Sequence, residues 1–483
     1  MKKTEKTEKT KKLFFIIGML VFILIFGITV IGCDDGFKKK PGDDEEKKPP
    51  NTEKPDYLYD IDEPDPSILP NLLRMNDGTP VTTAEEWLDR REEIRKIMQD
   101  NSYGQWRSGE KVTYSVSGKT LTVKVSLGEK EVTFNATVEL PAEGAPPEGG
   151  WPVILAFGGL DGADGMMGSK GNPRQYALSK GYANISVPTN DIAADPGDKG
   201  ASYNGAFYTL YPYGSAAESQ TGVLMAWAWG ASKVLDALEA GAAAEFNINA
   251  KNTIITGTSR NGKAAAVAGA FENRFKITVP VSSGAGGAAM YRYSKANGQI
   301  YDLSSYFFYN GGGSWKIDSN NPQSLGSIQN DSSGTWFNAK FKTFNDPKKL
   351  PFDQHFLLSL CADTDRYLFM INGFEWDKWT NPPGFFYAFE RTVPVFNLLG
   401  IPQNIAVSMH RFRHGIEQED MVKLIKYADY MFYGVKDLTF EFAETEKPKP
   451  KTWKAFMESL YITPFSESVS PENNATYESG KPK

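Results

Sequence analysis

Trp151-Pro-Val-Ile-Leu-Ala-Phe157 is an unbroken apolar run that ends at Gly158-Gly159. So short a run with no polar side is a strand buried on both faces, and such strands belong to parallel sheets covered by helices. The pattern recurs. Residues 181–188, 252–257, 275–281, 366–372 and 404–409 read as further strands, while 215–238 and the Ala-rich 263–271 read as helices. This alternation predicts an α/β fold, a three-layer α-β-α sandwich with a mostly parallel sheet. Ahead of it, Thr83 is placed to cap a helix from Trp87 to Gln99, with Glu86 completing the cap. Period-two alternation over 112–140 predicts antiparallel hairpins. The Gly-, Ser- and Asn-rich stretch 288–345 is expected to be an insertion near the site rather than sheet core.

The N-terminal segment is of another kind. Six Lys lie in residues 1–12, a charge-free stretch runs from Leu13 to Ile31, and Cys33 follows Val30-Ile31-Gly32. Basic, apolar and small-residue regions in that order form a lipoprotein signal, cleaved before an acylated Cys33; an uncleaved membrane anchor is the alternative. Either reading places the rest outside the cytoplasm, periplasmic or at the cell surface. The organisation expected is a signal over 1–32, an acylated Cys33 with a charged, Pro-rich tether over 33–80, a folded domain over 81–437 and a tail over 438–483. The later part of the tether, 58–73, is a candidate for packing on the domain.

Setting aside residues 1–32, with their six Lys and two Glu, takes the net charge from −6 to −10. That balance disfavours nucleic acid as a partner. Two cysteines cannot make a disulfide scaffold, and no CxxC or HExxH spacing offers a metal site, so neither metal nor cofactor is expected. Any histidine chemistry must use His355, His410 or His414.

A strand leads into Gly257-Thr-Ser259-Arg-Asn-Gly262-Lys263, and a helix follows. This is the setting of a nucleophile elbow, in which a sharp turn lifts a Ser hydroxyl above the sheet edge and aims backbone N–H groups at one spot. Gly262 stands one place later than the usual spacing, and an ordinary junction with Ser259 as N-cap is the alternative. If Ser259 is the nucleophile, the acid and then the base follow it in the chain. His414, after a predicted strand, is the candidate base and His410 its competitor; His355 reads as a packing residue. Glu375 and Asp377 share the loop after the 366–372 strand, where a carboxylate can hold a histidine.

The segment Gly257-Thr-Ser-Arg-Asn-Gly-Lys263 resembles the G-C-S-R-x-G-K signature of the glucuronoyl esterases, carbohydrate esterase family 15. Asn190-Asp-Ile-Ala193, Met225-Ala-Trp-Ala-Trp-Gly230, Ser283-Gly-Ala-Gly-Gly-Ala288, Leu350-Pro-Phe-Asp-Gln-His355 and Asp377-Lys-Trp379 are similar to family blocks, in family order. The resemblance implies an α/β-hydrolase fold and a serine esterase acting on 4-O-methylglucuronoyl esters between xylan and lignin alcohols. It implies Ser259 as nucleophile, His414 as base, Arg260 at the oxyanion, and Lys263, Trp379 and Gln323 as sugar contacts. Two departures stand out. Thr258 replaces the common Cys, and Ser282 occupies a position where many members carry the catalytic Glu. The acid must then come from the later loop, with Asp377 favoured by its spacing to Trp379 and Glu375 second.

The expected reaction is attack by Ser259 on the uronate ester, an acyl-enzyme, and hydrolysis by water, carried out by a monomer. A histidine base must be neutral, so the rate of such an enzyme is expected to fall below about pH 6. Two other readings stay open: an acetyl or feruloyl esterase, in which Lys263 would meet no uronic sugar, and a non-catalytic carbohydrate-binding lipoprotein that has lost its acid.

Overall fold

The computed structural model describes residues 69–160, 172–195, 202–293, 325–330, 334–373, 377–410 and 414–435. The signal with Cys33, the tether up to residue 68, Gln323, Glu375 and the tail 438–483 lie outside these residues.

Among the described residues, nine strands form one sheet in the order β1-β2-β3-β5-β4-β6-β7-β8-β9. β1 (Lys111–Ser117), β2 (Thr120–Leu127) and β3 (Lys130–Glu139) are the expected hairpins, and β3 pairs antiparallel with β5 (Ala183–Val187). From there on all pairs are parallel: β5 to β4 (Trp151–Phe157), then β6 (Ile248–Thr258), β7 (Ile277–Val281), β8 (Tyr367–Gly373) and β9 (Ile405–His410). β4, β7 and β9 are buried at every residue, which is why their sequences lack a polar alternation.

Successive residues of the central strands serve opposite faces. Ile154, Ile254, Ile277 and Phe369 pack with α2 (Pro173–Ser179) and α7 (Gln418–Tyr433). Leu155, Ile255 and Leu368 pack in the larger core with α1 (Ala84–Met98), α3 (Val223–Ala237), α4 (Arg260–Phe271), α5 (Gln354–Ser359) and α6 (Pro382–Leu398). This is the three-layer sandwich expected of an α/β-hydrolase fold.

At two points the structure differs from the sequence reading, and at a third it places described residues of the 58–73 segment on the domain. α3 begins at Val223 rather than at 215, because its first N–H groups donate to the carbonyls of Thr335 (2.9 Å) and Trp336 (3.4 Å). A tertiary contact, which local pattern does not encode, sets that start. The described residues of the stretch 288–345 add no strand, yet Trp336, Phe337 and Phe341 are buried in the larger core. Packing on the domain also begins before residue 81: Leu72 is buried, and its carbonyl and that of Asn71 accept from the guanidinium of Arg90 at 3.1 Å each.

The strand ends set the location of the site. Thr258 pairs with Val281, Val281 with Ile371, and Gly373 with His410, so the residues that follow β6, β7, β8 and β9 emerge side by side at one edge. The carboxyl edge of a parallel sheet is where α/β folds place their ligands.

Candidate active site

Ser259 sits between β6 and α4 with φ +62° and ψ −124°. This conformation costs a non-Gly residue on the order of 1–3 kcal/mol and persists only where the surroundings impose it. Here the Ser259 N–H donates to Val281 O and its carbonyl accepts from Lys263 N–H, each at 3.0 Å. The turn also needs two residues without a side chain. A Cβ on Gly257 would come within 2.5 Å of the Asn261 carbonyl oxygen, and one on Gly262 within 2.5 Å of the Val281 carbonyl oxygen. Ser259 holds the N-cap position, but its hydroxyl caps nothing, which removes the ordinary junction as an account of this residue. The N-terminus of α4 opens at Ser259 and favours negative charge there. The N–H groups of Gly158 and Gly159 are engaged with Val187 O (3.2 Å) and Ala156 O (3.1 Å), so among the described residues the first turn of α4 is a source of backbone donors.

His414 follows β9 and is mostly buried, and its Nδ1 lies 2.8 Å from Oδ1 of the fully buried Asp377. A proton on Nδ1 facing that carboxylate leaves Nε2 as the basic nitrogen. Asp377 is fixed in turn: its carbonyl accepts from the Thr380 N–H (3.0 Å) and hydroxyl (2.6 Å), and Asn372 at the end of β8 donates to that hydroxyl at 3.1 Å. The Trp379 ring lies 4.5 Å from the His414 ring. Asp377 Oδ2 and Trp379 Nε1, both buried, have no hydrogen-bond partner among the described residues. Glu375, the second candidate acid, and Gln323 lie outside the described residues.

Ser282 follows β7, carries φ +44° and is fully buried. Its N–H donates to Ile371 O at 2.9 Å, and its hydroxyl accepts from the Gly415 N–H at 3.2 Å. It thus ties the loop of the candidate base to the sheet edge. The bonds of Ser259 to Val281, Ser282 to Ile371, and Gly415 to Ser282 link Ser259 to the loop of His414 across the strand ends.

The other two histidines are used elsewhere. His410 Nδ1 stands 2.8 Å from Asp420. Burial raises the Asp420 pKa, but His410, Lys423 and the Glu417 N–H together hold the carboxyl below its usual range. His355 Nε2 is 3.0 Å from Pro70 O, and burial lowers its pKa to about 4.

Two cations flank the elbow. Lys263 is buried, with its ammonium on the carbonyls of Ser283 and Ala285 (2.6 Å to the latter). It is a buried charge on backbone oxygens rather than a freely extended sugar contact. Arg260 is half exposed and pairs with Asp195. The Trp336 ring lies 5.7 Å from the guanidinium and 5.8 Å from the ammonium. Asp195 was not singled out from sequence; it stands two residues past the Asn190–Ala193 block, and a lone Asp in a loop carries no pattern of its own. Among the described residues, no group of three His, Cys, Asp or Glu is placed to hold a metal ion.

With this geometry in hand, comparisons with known proteins become informative. Residues 123–307 match the family described as glucuronyl esterase, fungi. The chain is 41% identical over 375 residues to a multidomain esterase of Ruminococcus flavefaciens, aligning over 76% of this chain and 46% of that protein. It therefore spans about half the length of that relative. It is 33% identical to a 4-O-methyl-glucuronoyl methylesterase of Schizophyllum commune, covering 73% of this chain and 76% of the other. Among solved structures, a carbohydrate esterase family 15 glucuronoyl esterase from Caldicellulosiruptor kristjansonii superposes with TM-score 0.68 at 39% identity, over 81% of this chain and 96% of that one. A mutant glucuronoyl esterase from Sporotrichum thermophile, in complex with methyl 4-O-methyl-β-D-glucopyranuronate, gives 0.59 at 26% identity, over 81% and 94%.

Proposed function

The chain belongs to the glucuronoyl esterases of carbohydrate esterase family 15, and from that membership we propose that it hydrolyses 4-O-methylglucuronoyl esters joining xylan side chains to lignin alcohols. The observation that carries the proposal is the His414–Asp377 contact of 2.8 Å, held at the same sheet edge as Ser259. It supports a triad that needs no carboxylate at position 282, and so speaks against a carbohydrate-binding protein that has lost its acid. Ser259 Oγ attacks the ester carbonyl as His414 Nε2 takes its proton. The oxyanion is held by the Arg260 N–H and guanidinium. His414 returns the proton to the departing alcohol, and then activates water against the acyl-enzyme, releasing the uronic acid. The indole N–H of Trp379, which has no hydrogen-bond partner among the described residues, supports a role for this residue as a sugar contact.

The test is hydrolysis of benzyl glucuronate by the full chain beside its Ser259→Ala variant. Turnover by the first, lost about 10³-fold or more in the second, is expected. No turnover by the folded wild-type protein would refute the proposal.

We further propose that residues 1–32 are a lipoprotein signal and that acylated Cys33 anchors a monomeric domain outside the cytoplasm. The order of basic, apolar and small residues before Cys33 supports this reading. Cys33→Ala should abolish lipid labelling and cleavage of the signal; labelling that survives the substitution would exclude it.

A further inference from the structure

Arg260 has a partner that the reaction as drawn above does not use. Its guanidinium pairs with the carboxylate of Asp195, whose side chain is 7% exposed while that of Arg260 is 48% exposed. The acid is therefore the fixed member of the pair. The loop that carries it is tied down at three points. Trp227 Nε1 donates to Ala193 O at 2.8 Å, the Ala194 N–H donates to Asn204 O at 3.0 Å, and the Asp195 N–H donates to Asn190 Oδ1 at 3.2 Å. On its other flank the guanidinium faces the Trp336 ring at 5.7 Å, and the backbone of Thr335 and Trp336 is held by the first N–H groups of α3. A long side chain with large rotamer freedom is thus clamped between a carboxylate and an aromatic face.

The clamp bears on both ends of the reaction. An oxyanion donor is most effective when it is already oriented and need not reorganise as charge develops. The charge of the acyl group also changes as the reaction proceeds: the substrate is a neutral ester, whereas the product is a carboxylate with the negative charge on its two oxygens. An unopposed guanidinium would retain that anion. A fixed negative partner orients the guanidinium and offsets part of its charge, and so eases the departure of the product.

We propose that Asp195 is the positioning residue of Arg260, orienting it for the oxyanion and weakening its hold on the uronate product. This rests on the esterase reading above. The experiment compares the full chain with its Asp195→Asn and Asp195→Glu variants, measuring kcat and KM on benzyl glucuronate, inhibition by free glucuronate, and thermal melting. For Asp195→Asn we expect kcat to fall about tenfold, KM to stay within about threefold, and inhibition by glucuronate to tighten about fivefold or more. Asp195→Glu, which keeps the charge, should recover much of kcat and relieve the tightened inhibition. Unchanged inhibition by glucuronate in Asp195→Asn would overturn the proposal, whether kcat holds or falls together with the melting temperature, since a merely structural contact would lower activity without favouring the anion. If Asp195→Asn does not fold, Asp195→Glu decides alone: wild-type inhibition at lowered kcat supports the proposal, and inhibition tightened despite the retained charge overturns it. A wild-type protein without turnover would refute the esterase reading itself, and this inference with it.

Discussion

At the scale of single residues, the site depends on which carboxylate faces His414. Asp377 is fully buried and 2.8 Å from Nδ1. Asp377→Asn keeps the volume but offers an amide where the imidazole needs a negative acceptor. It should lower kcat by about 10³–10⁴-fold with little change in KM. Glu375→Gln should stay within about threefold, since Asp377 already occupies Nδ1. Steady-state kinetics of the two variants check both, and the reverse ranking would reassign the acid. Much at this scale is legible in sequence, because chemistry requires rare residue types. Of the three histidines in the chain, two follow the candidate acids, which leaves His414 with His410 as its competitor, and the resemblance favours His414. The spacing to Trp379 then points to Asp377. Asp195 and Trp336 are not legible in that way: their roles come from loops that meet only in the folded chain.

At the scale of elements, what the sequence encodes well is whatever burial dictates locally. The run from Trp151 to Phe157 is β4 at both ends, and the capping box of Thr83 and Glu86 opens α1. What it encodes poorly is set by partners distant in the chain. α3 starts where Thr335 and Trp336 receive its N–H groups, over one hundred residues further along. The elbow combines both kinds of information. Gly257 and Gly262 are visible in the sequence as gaps in side-chain bulk, but only the close approach of Asn261 and Val281 explains why no Cβ fits. α4 is accordingly anchored at its first turn, and the strained backbone of Ser259 is the junction between a strand and a helix that are each fixed independently.

At the scale of the whole molecule, the described N-terminal residues are joined to α5, nearly three hundred residues further along, through a titrating group. His355, in α5, contacts Pro70 O and is buried with its pKa lowered from 6.5 to about 4. Between those two values the unfolded chain binds a proton that the folded chain does not, so stability is lost as pH falls from about 6.5 to 4. The loss from this one group amounts to about 3 kcal/mol at most. Asp420, whose pKa is lowered in the fold, extends the loss to more acid conditions. Melting temperatures measured from pH 7 to 4 should fall across this window, and His355→Gln should flatten the decline above pH 4. An equal decline in that variant would place the acid sensitivity elsewhere.

The hydrogen bond from Gly415 to Ser282 has a consequence for how such a site can change over generations. Position 282 ends one strand, Asp377 follows the next, and both reach the loop of the same imidazole, one through a hydroxyl and the other through a carboxylate. The base can therefore stay where it is while its counter-charge moves from one strand end to its neighbour. While both positions are acidic, either can be lost without abolishing catalysis, so a lineage can cross from one arrangement to the other with no inactive ancestor between them. Ser282 holds the histidine loop through its hydroxyl, and the counter-charge comes from Asp377 on the neighbouring strand end.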